Sequence, residues 1–139
     1  MAEHITKVWF DDKNIFIATD AGVQRSLPLE CFPALFYATP QQREHFYLWD
    51  DNRSIRWEEV DEDIHISHFF ENVTVNYDNE VNRLFSRFPY LNLKGIADVI
   101  GLHWTLLARL KFGIVKPTAE IMQRIRDGLA AISRELATV

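Results

Sequence analysis

The chain has 139 residues, of which 47% are hydrophobic, and a formal net charge of −5 from 20 Asp and Glu against 15 Lys and Arg. So large an apolar share excludes wholesale disorder, and the length admits one domain or two small ones. Cys31 is the single cysteine, which excludes an internal disulfide framework and a multi-cysteine zinc site and points to a reducing compartment.

The opening residues, MAEHITKVWFDDK, hold no apolar run of signal-peptide length, and no later stretch is long enough to span a membrane. A soluble, cytoplasmic protein is expected. Ile5, Val8 and Phe10, then Ile15 and Ile17, fall in short segments separated by the turn-forming Asp11-Asp12-Lys13-Asn14. Thr19-Asp20-Ala21-Gly22 supplies a second turn before residues 23–27, so three antiparallel strands in succession are predicted. Residues 28–38 read as a helix with Leu29, Phe32, Leu35 and Phe36 as its inward stripe, and Thr39-Pro40 as the start of another turn of helix. Residues 46–49 and 54–57 form a hairpin across Asp50-Asp51-Asn52-Arg53, and residues 61–67 a last short strand. Trp9, Trp49 and Trp57 fall on these strands as core or sheet-face packing.

Residues 71–79, ENVTVNYDN, are polar and turn-rich and make the best linker. Beyond them Val81, Leu84, Phe85 and Phe88 form a helical stripe capped by Asp78 and stopped by Pro89. The segment NLKGIADVIGLHWTLLARLKFGIVKPT, residues 92–118, reads as two short helices around a glycine turn. Asn92 caps the first, in which Leu93, Ile96, Ala97 and Ile100 recur at helical spacing. Gly101 follows where the chain leaves the helix with positive φ. In the second helix Leu106, Leu107 and Leu110 gather on one side, and Thr105, Ala108 and Phe112 lie opposite, flanked by Trp104 and Arg109. Gly113 ends it, Thr118 caps the next helix, and Glu120 sits in that helix's first turn. Ile121, Ile125, Leu129, Ile132 and Leu136 give the last helix a stripe longer than a small bundle needs, suiting its end to the first domain or to a second subunit.

Charge divides with the pattern. Residues 1–71 hold fourteen Asp and Glu against six Lys and Arg, a balance of −8; residues 72–139 hold six against nine, a balance of +3. Such asymmetry suggests two domains with different partners. No catalytic constellation stands out. Cys31 reads as a small buried hydrophobe. His65 and His68, with Asp61 and Asp63 upstream, are suitable metal ligands in kind, but residues three apart on a strand face opposite sides, and a charged edge strand accounts for them better. Glu58-Glu59 with Asp61-Glu62-Asp63 reads as a solvated acidic turn or a surface for a basic protein. The expectation is a protein that is not an enzyme, with no catalytic residue, cofactor or metal.

Ile96-Ala97, Gly101-Leu102, Thr105, Leu107, Arg109-Leu110, Gly113 and Pro117 together resemble the helix-turn-helix of lambda-repressor-like (Xre or Cro type) DNA-binding domains. His103 stands where that family usually has a capping Ser or Thr, and Trp104 is bulkier than its usual polar reader. The opening strands, the Leu-rich helix, and Ile55-Arg56-Trp57 running into Val60-Asp61-Glu62-Asp63-Ile64 resemble a small bacterial family of unknown function, over roughly residues 3–70. Some of its members carry such a helix-turn-helix after the sheet domain. The resemblances imply an α+β chain: residues 1–71 as a small antiparallel-sheet domain with one or two helices, and residues 79–139 as an all-α lambda-repressor-like bundle. They imply a bacterial transcriptional regulator whose DNA-binding residues are His103, Trp104, Thr105, Ala108 and Arg109 on the second helix, with Lys94, Lys111 and Lys116 on phosphates. The first domain would dimerise or sense a protein partner at its acidic surface. The alternative is an interaction module or antitoxin-like adaptor in which DNA binding is weak or lost.

Overall fold

The computed structural model describes residues 3–139; Met1 and Ala2, the first two of the expected sheet domain, lie outside the described residues. The chain gathers into two units that divide between Val73 and Thr74. The first is built of two three-stranded antiparallel sheets, the second of helices, which makes the protein α+β.

In the first unit β1 (Ile5–Phe10), β2 (Asn14–Thr19) and β3 (Gln24–Pro28) form a meander in that order. Its first turn is set by Asp11, whose Oδ1 accepts the amides of Lys13 and Asn14 at 2.8 and 2.6 Å. On β2 the alternate residues Ile15, Ile17 and Thr19 are buried, while on the other face Phe16 stacks on Trp9 with ring centroids 5.4 Å apart.

The helix expected over residues 28–38 is broken. A 3-10 turn covers Leu29–Cys31, Phe32 takes φ −128° and ψ 80°, and α1 is only Pro33–Phe36. Pro33 has no amide to donate and forces the residue before it out of helical geometry, so a continuous helix is excluded despite the apolar stripe. The stripe still does its packing: Leu29, Phe32 and Leu35 are buried. Thr39 opens α2 (Pro40–Glu44) with a reciprocal capping box to Gln42. Arg43 then donates to the Leu35 and Phe36 carbonyls at 2.8 and 2.9 Å, satisfying the end of α1.

The second sheet has the order β4 (Tyr47–Trp49), β5 (Ser54–Trp57), β6 (Glu62–His65), so the strand expected over 61–67 is shorter and gives way to a 3-10 turn at Ile66–Phe70. The Asp50, Asp51 and Asn52 that join β4 to β5 all have left-handed φ, 55° to 56°. Trp57 is fully buried: its ring meets Phe10 at 6.3 Å and Phe46 at 5.9 Å, and its Nε1 donates to the Arg43 carbonyl at 2.9 Å. This one indole touches both sheets and α2.

In the second unit α3 is Glu80–Arg87, α4 Leu93–Ile100, α5 Trp104–Lys111 and α6 Ala119–Leu136. Val81, Phe85, Ile96, Ile100, Leu102, Leu107, Leu110 and Ile125 form the core. Asn79, not Asp78, caps α3, accepting from the Asn82 amide at 2.8 Å; Asp78 instead pairs with Arg83. The expected linker is also shorter than 71–79, because from Thr74 onward the chain belongs to this unit. The Asn76 amide donates to the Phe112 carbonyl, and Asn79 Nδ2 donates to the carbonyls of Asn76 and Lys111. These residues act as a strap across the C-terminal end of α5. On α6 Thr118 caps as expected, Ile125 is buried, Ile121, Leu129 and Ile132 are partly covered, and Leu136 is exposed.

Candidate nucleic-acid interface

The geometry around α5 begins with the exit from α4. Gly101 takes φ 82°, and the amides of Gly101 and Leu102 both donate to the Ala97 carbonyl at 2.9 and 3.0 Å. This closes the helix and turns the chain within two residues. Leu102 drops into the core, and His103 starts α5 as its N-cap. Its Nδ1 accepts the Thr105 amide at 3.3 Å and meets the Thr105 hydroxyl at 2.7 Å. An accepting Nδ1 leaves the proton of the neutral ring on Nε2. The imidazole thus performs the capping that Ser or Thr usually supplies.

Lys94, His103, Trp104 and Thr105 are brought together at this end. Trp104 is half-buried against the core, the His103 ring stacks on it at 6.3 Å, and Lys94 Nζ sits 4.5 Å from its centroid. A cation over indole at an exposed site contributes about 0.5–1 kcal/mol and holds the ammonium beside the helix start. Thr105 and Arg109, both half-exposed, lie one turn apart on α5.

One predicted contact, Ala108, is corrected, and with it the reading of Phe112 on the same face. Ala108 is fully buried and Phe112 is 2% exposed, so neither meets an outside partner. Phe112 packs edge-on against Tyr77 at 5.9 Å while the strap takes its carbonyl. The face opposite the leucines is therefore partly buried, at Ala108 and Phe112, with Thr105 half-exposed on it. Lys111 is half-buried, with Nζ 5.5 Å from the Phe85 ring and 5.8 Å from Phe112, and withdrawal from water lowers its pKa. It lies at the other end of α5 from Lys94. Lys116 is exposed in the segment between α5 and α6. Sequence reasoning missed the strap; Asn76 and Asn79, an asparagine pair flanking Tyr77-Asp78, were its only local signal.

Elsewhere His65 Nδ1 meets the Ser67 hydroxyl and His68 pairs with Glu71, so the two imidazoles are engaged separately. No helix of the described residues is long and apolar enough to cross a membrane.

Residues 5–75 match the model of a family described as protein of unknown function (DUF2442). No curated protein and no solved structure matches the chain.

Proposed function

The chain belongs to the DUF2442 family, whose match at residues 5–75 stops at the edge of the helical unit, and from that premise we propose that the helical unit is a lambda-repressor-like DNA-binding module of a transcriptional regulator. The observation that carries the proposal is the tight exit from α4 through left-handed Gly101 into a His103-capped α5, on which half-exposed Thr105 and Arg109 lie one turn apart. A short helix, a sharp turn and a second helix can lay the second helix in the major groove. Arg109 would take a guanine edge, and Thr105, whose hydroxyl proton is directed at His103, would accept from a neighbouring base. Lys94 and Lys116 would contact phosphates; Lys111 contributes less, because its ammonium lies over two rings.

Selection from a random DNA pool tests this, run with wild type and Arg109→Ala. Wild type is expected to enrich a near-palindrome with half-sites about one DNA turn apart. The variant should lose discrimination at one base position, worth about 1–3 kcal/mol. Enrichment of no motif by wild type overturns specific readout, and equal motifs from both proteins remove Arg109 as the reader. A second reading, an interaction module or antitoxin-like adaptor with little DNA binding, is favoured by the burial of Ala108 and Phe112, which leaves few readers, and by the net charge of −5. Failure of the intact protein to retain any DNA at low salt would select it.

A further inference from the structure

In the β4-β5-β6 sheet, Leu48, Ile55 and Ile64 form one row on the inner face. The outer face carries two rows, Tyr47–Arg56–Asp63 and Trp49–Ser54–His65. Tyr47 and Trp49 are 49% and 47% exposed, large aromatics side by side on an edge strand. Both have their polar atoms occupied within the sheet: the Tyr47 hydroxyl donates to Glu58, and Trp49 Nε1 donates to Asp63 at 3.3 Å. Arg56 is also claimed, by Glu58 at 3.3 Å and Asp61 at 2.9 Å.

Donation to carboxylates leaves both rings electron-rich, and about half of each side chain's surface is open to solvent. Glu58 and Asp61 at the Arg56 guanidinium, with Asp63 opposite it on β6, leave an excess of negative charge, and their remaining lone pairs can only accept. A π face ringed by acceptors suits a cation that donates in several directions. It suits a sugar poorly, since sugar hydroxyls need donors as well as acceptors, and it repels nucleic acid. The spacing adds a length: side chains two apart on a strand repeat at about 6.6–6.8 Å, the repeat of alternate residues in an extended peptide.

We propose that the outer face of this sheet docks an extended basic segment of a partner protein, with alternate arginine or lysine side chains lying over Tyr47 and Trp49 and paired to Glu58 and Asp63. The surface belongs to the sheet unit alone and is independent of the DNA-binding proposal. Charge complementarity identifies the occupant, because the half of the chain bearing this face has a balance of −8.

The test uses the full chain and a blocked peptide of alternating arginine and threonine, titrated by calorimetry and by amide resonance shifts at low and moderate salt. Shifts centred on Tyr47, Trp49 and Asp63 are expected, with affinity falling as salt rises. Trp49→Leu, which keeps an apolar strand residue, should weaken binding about threefold to tenfold. Glu58→Gln is a conservative change at an exposed carboxylate and should weaken binding about threefold with the rest of the amide spectrum unchanged. It keeps the proposal falsifiable if Trp49→Leu does not fold. Binding of a neutral cellohexaose at this face in place of the peptide, undiminished peptide binding by Glu58→Gln, or no binding at low salt would each overturn it.

Discussion

Both units contain backbone in the left-handed region, but they hold it by different means. In the helical unit the positions are glycine: Gly101 at φ 82° and Gly113 at φ 73°, each just past a helix end. In the sheet unit Gly22 at φ 75° serves one turn in the same way, but Asp50, Asp51, Asn52 and Asp61 also occupy this region, and side chains there cost roughly 1–2 kcal/mol each, least for Asn and Asp. Contacts distant in sequence hold the 50–53 turn in place: the Ile5 amide donates to the Asn52 carbonyl at 2.7 Å, the Ile66 amide to the Arg53 carbonyl at 2.7 Å, and His4 bridges Asp20 and Asp51. The helical unit encodes its reversals locally, whereas the sheet unit imposes one of them through tertiary structure. Local glycines should therefore be costly to replace, and the sheet turn should tolerate replacement wherever its long-range partners survive.

The largest effect is expected at Gly113, where an added Cβ would lie 2.0 Å from the Asn76 carbonyl oxygen. Gly113→Ala must displace the strap as well as adopt positive φ, and should cost about 3 kcal/mol in urea unfolding of the helical unit. Gly101→Ala meets nothing within 4 Å and should cost only the conformational strain, about 1 kcal/mol. Equal losses at the two sites would mean that the strap contributes nothing. In the sheet unit Asn52→Gly should be neutral or stabilising by a few tenths of a kcal/mol, roughly the difference between relieved strain and added chain entropy. A loss above about 1 kcal/mol there would show that the Asn52 side chain, not its backbone, holds the turn.

The smallest effect is a pH dependence. Hydrogen bonds to Asp20 and Asp51 raise the His4 pKa above its ordinary value of 6.5. A raised folded pKa means that the stabilisation is complete below about 6.5 and is lost as pH climbs through the folded value. Unfolding of the sheet unit should therefore become easier from pH 6 to pH 8, and His4→Gln should flatten that slope. An unchanged slope would remove His4 from the set of contacts holding the turn.

The same contrast sets what could be read from the residues alone. Asn92, Gly101, Thr118 and the stripes of α4 and α6 are local features, and the structure places them as read. The break at Phe32–Pro33 was equally local, but an apolar stripe marks burial rather than continuity, and the proline outweighed it. Division of the strands into two sheets was not legible, because alternation identifies a strand's faces and not its neighbours. At the candidate site, the partial exposure of Thr105 and Arg109 followed from helical angles. The burial of Phe112 did not, since it depends on a strap whose Asn79 lies 32 residues from its Lys111 partner. A 3.6-residue period cannot show what a distant segment will cover.

Trp104, half-buried under Lys94, has a practical consequence. It is the single tryptophan of the helical unit, while Trp9, Trp49 and Trp57 all belong to the sheet unit. Replacing those three by phenylalanine would leave a chain whose fluorescence reports only the start of α5. Its emission should respond to whatever displaces the lysine, so the protein carries its own optical probe at the place where a ligand of the helical unit would first be felt.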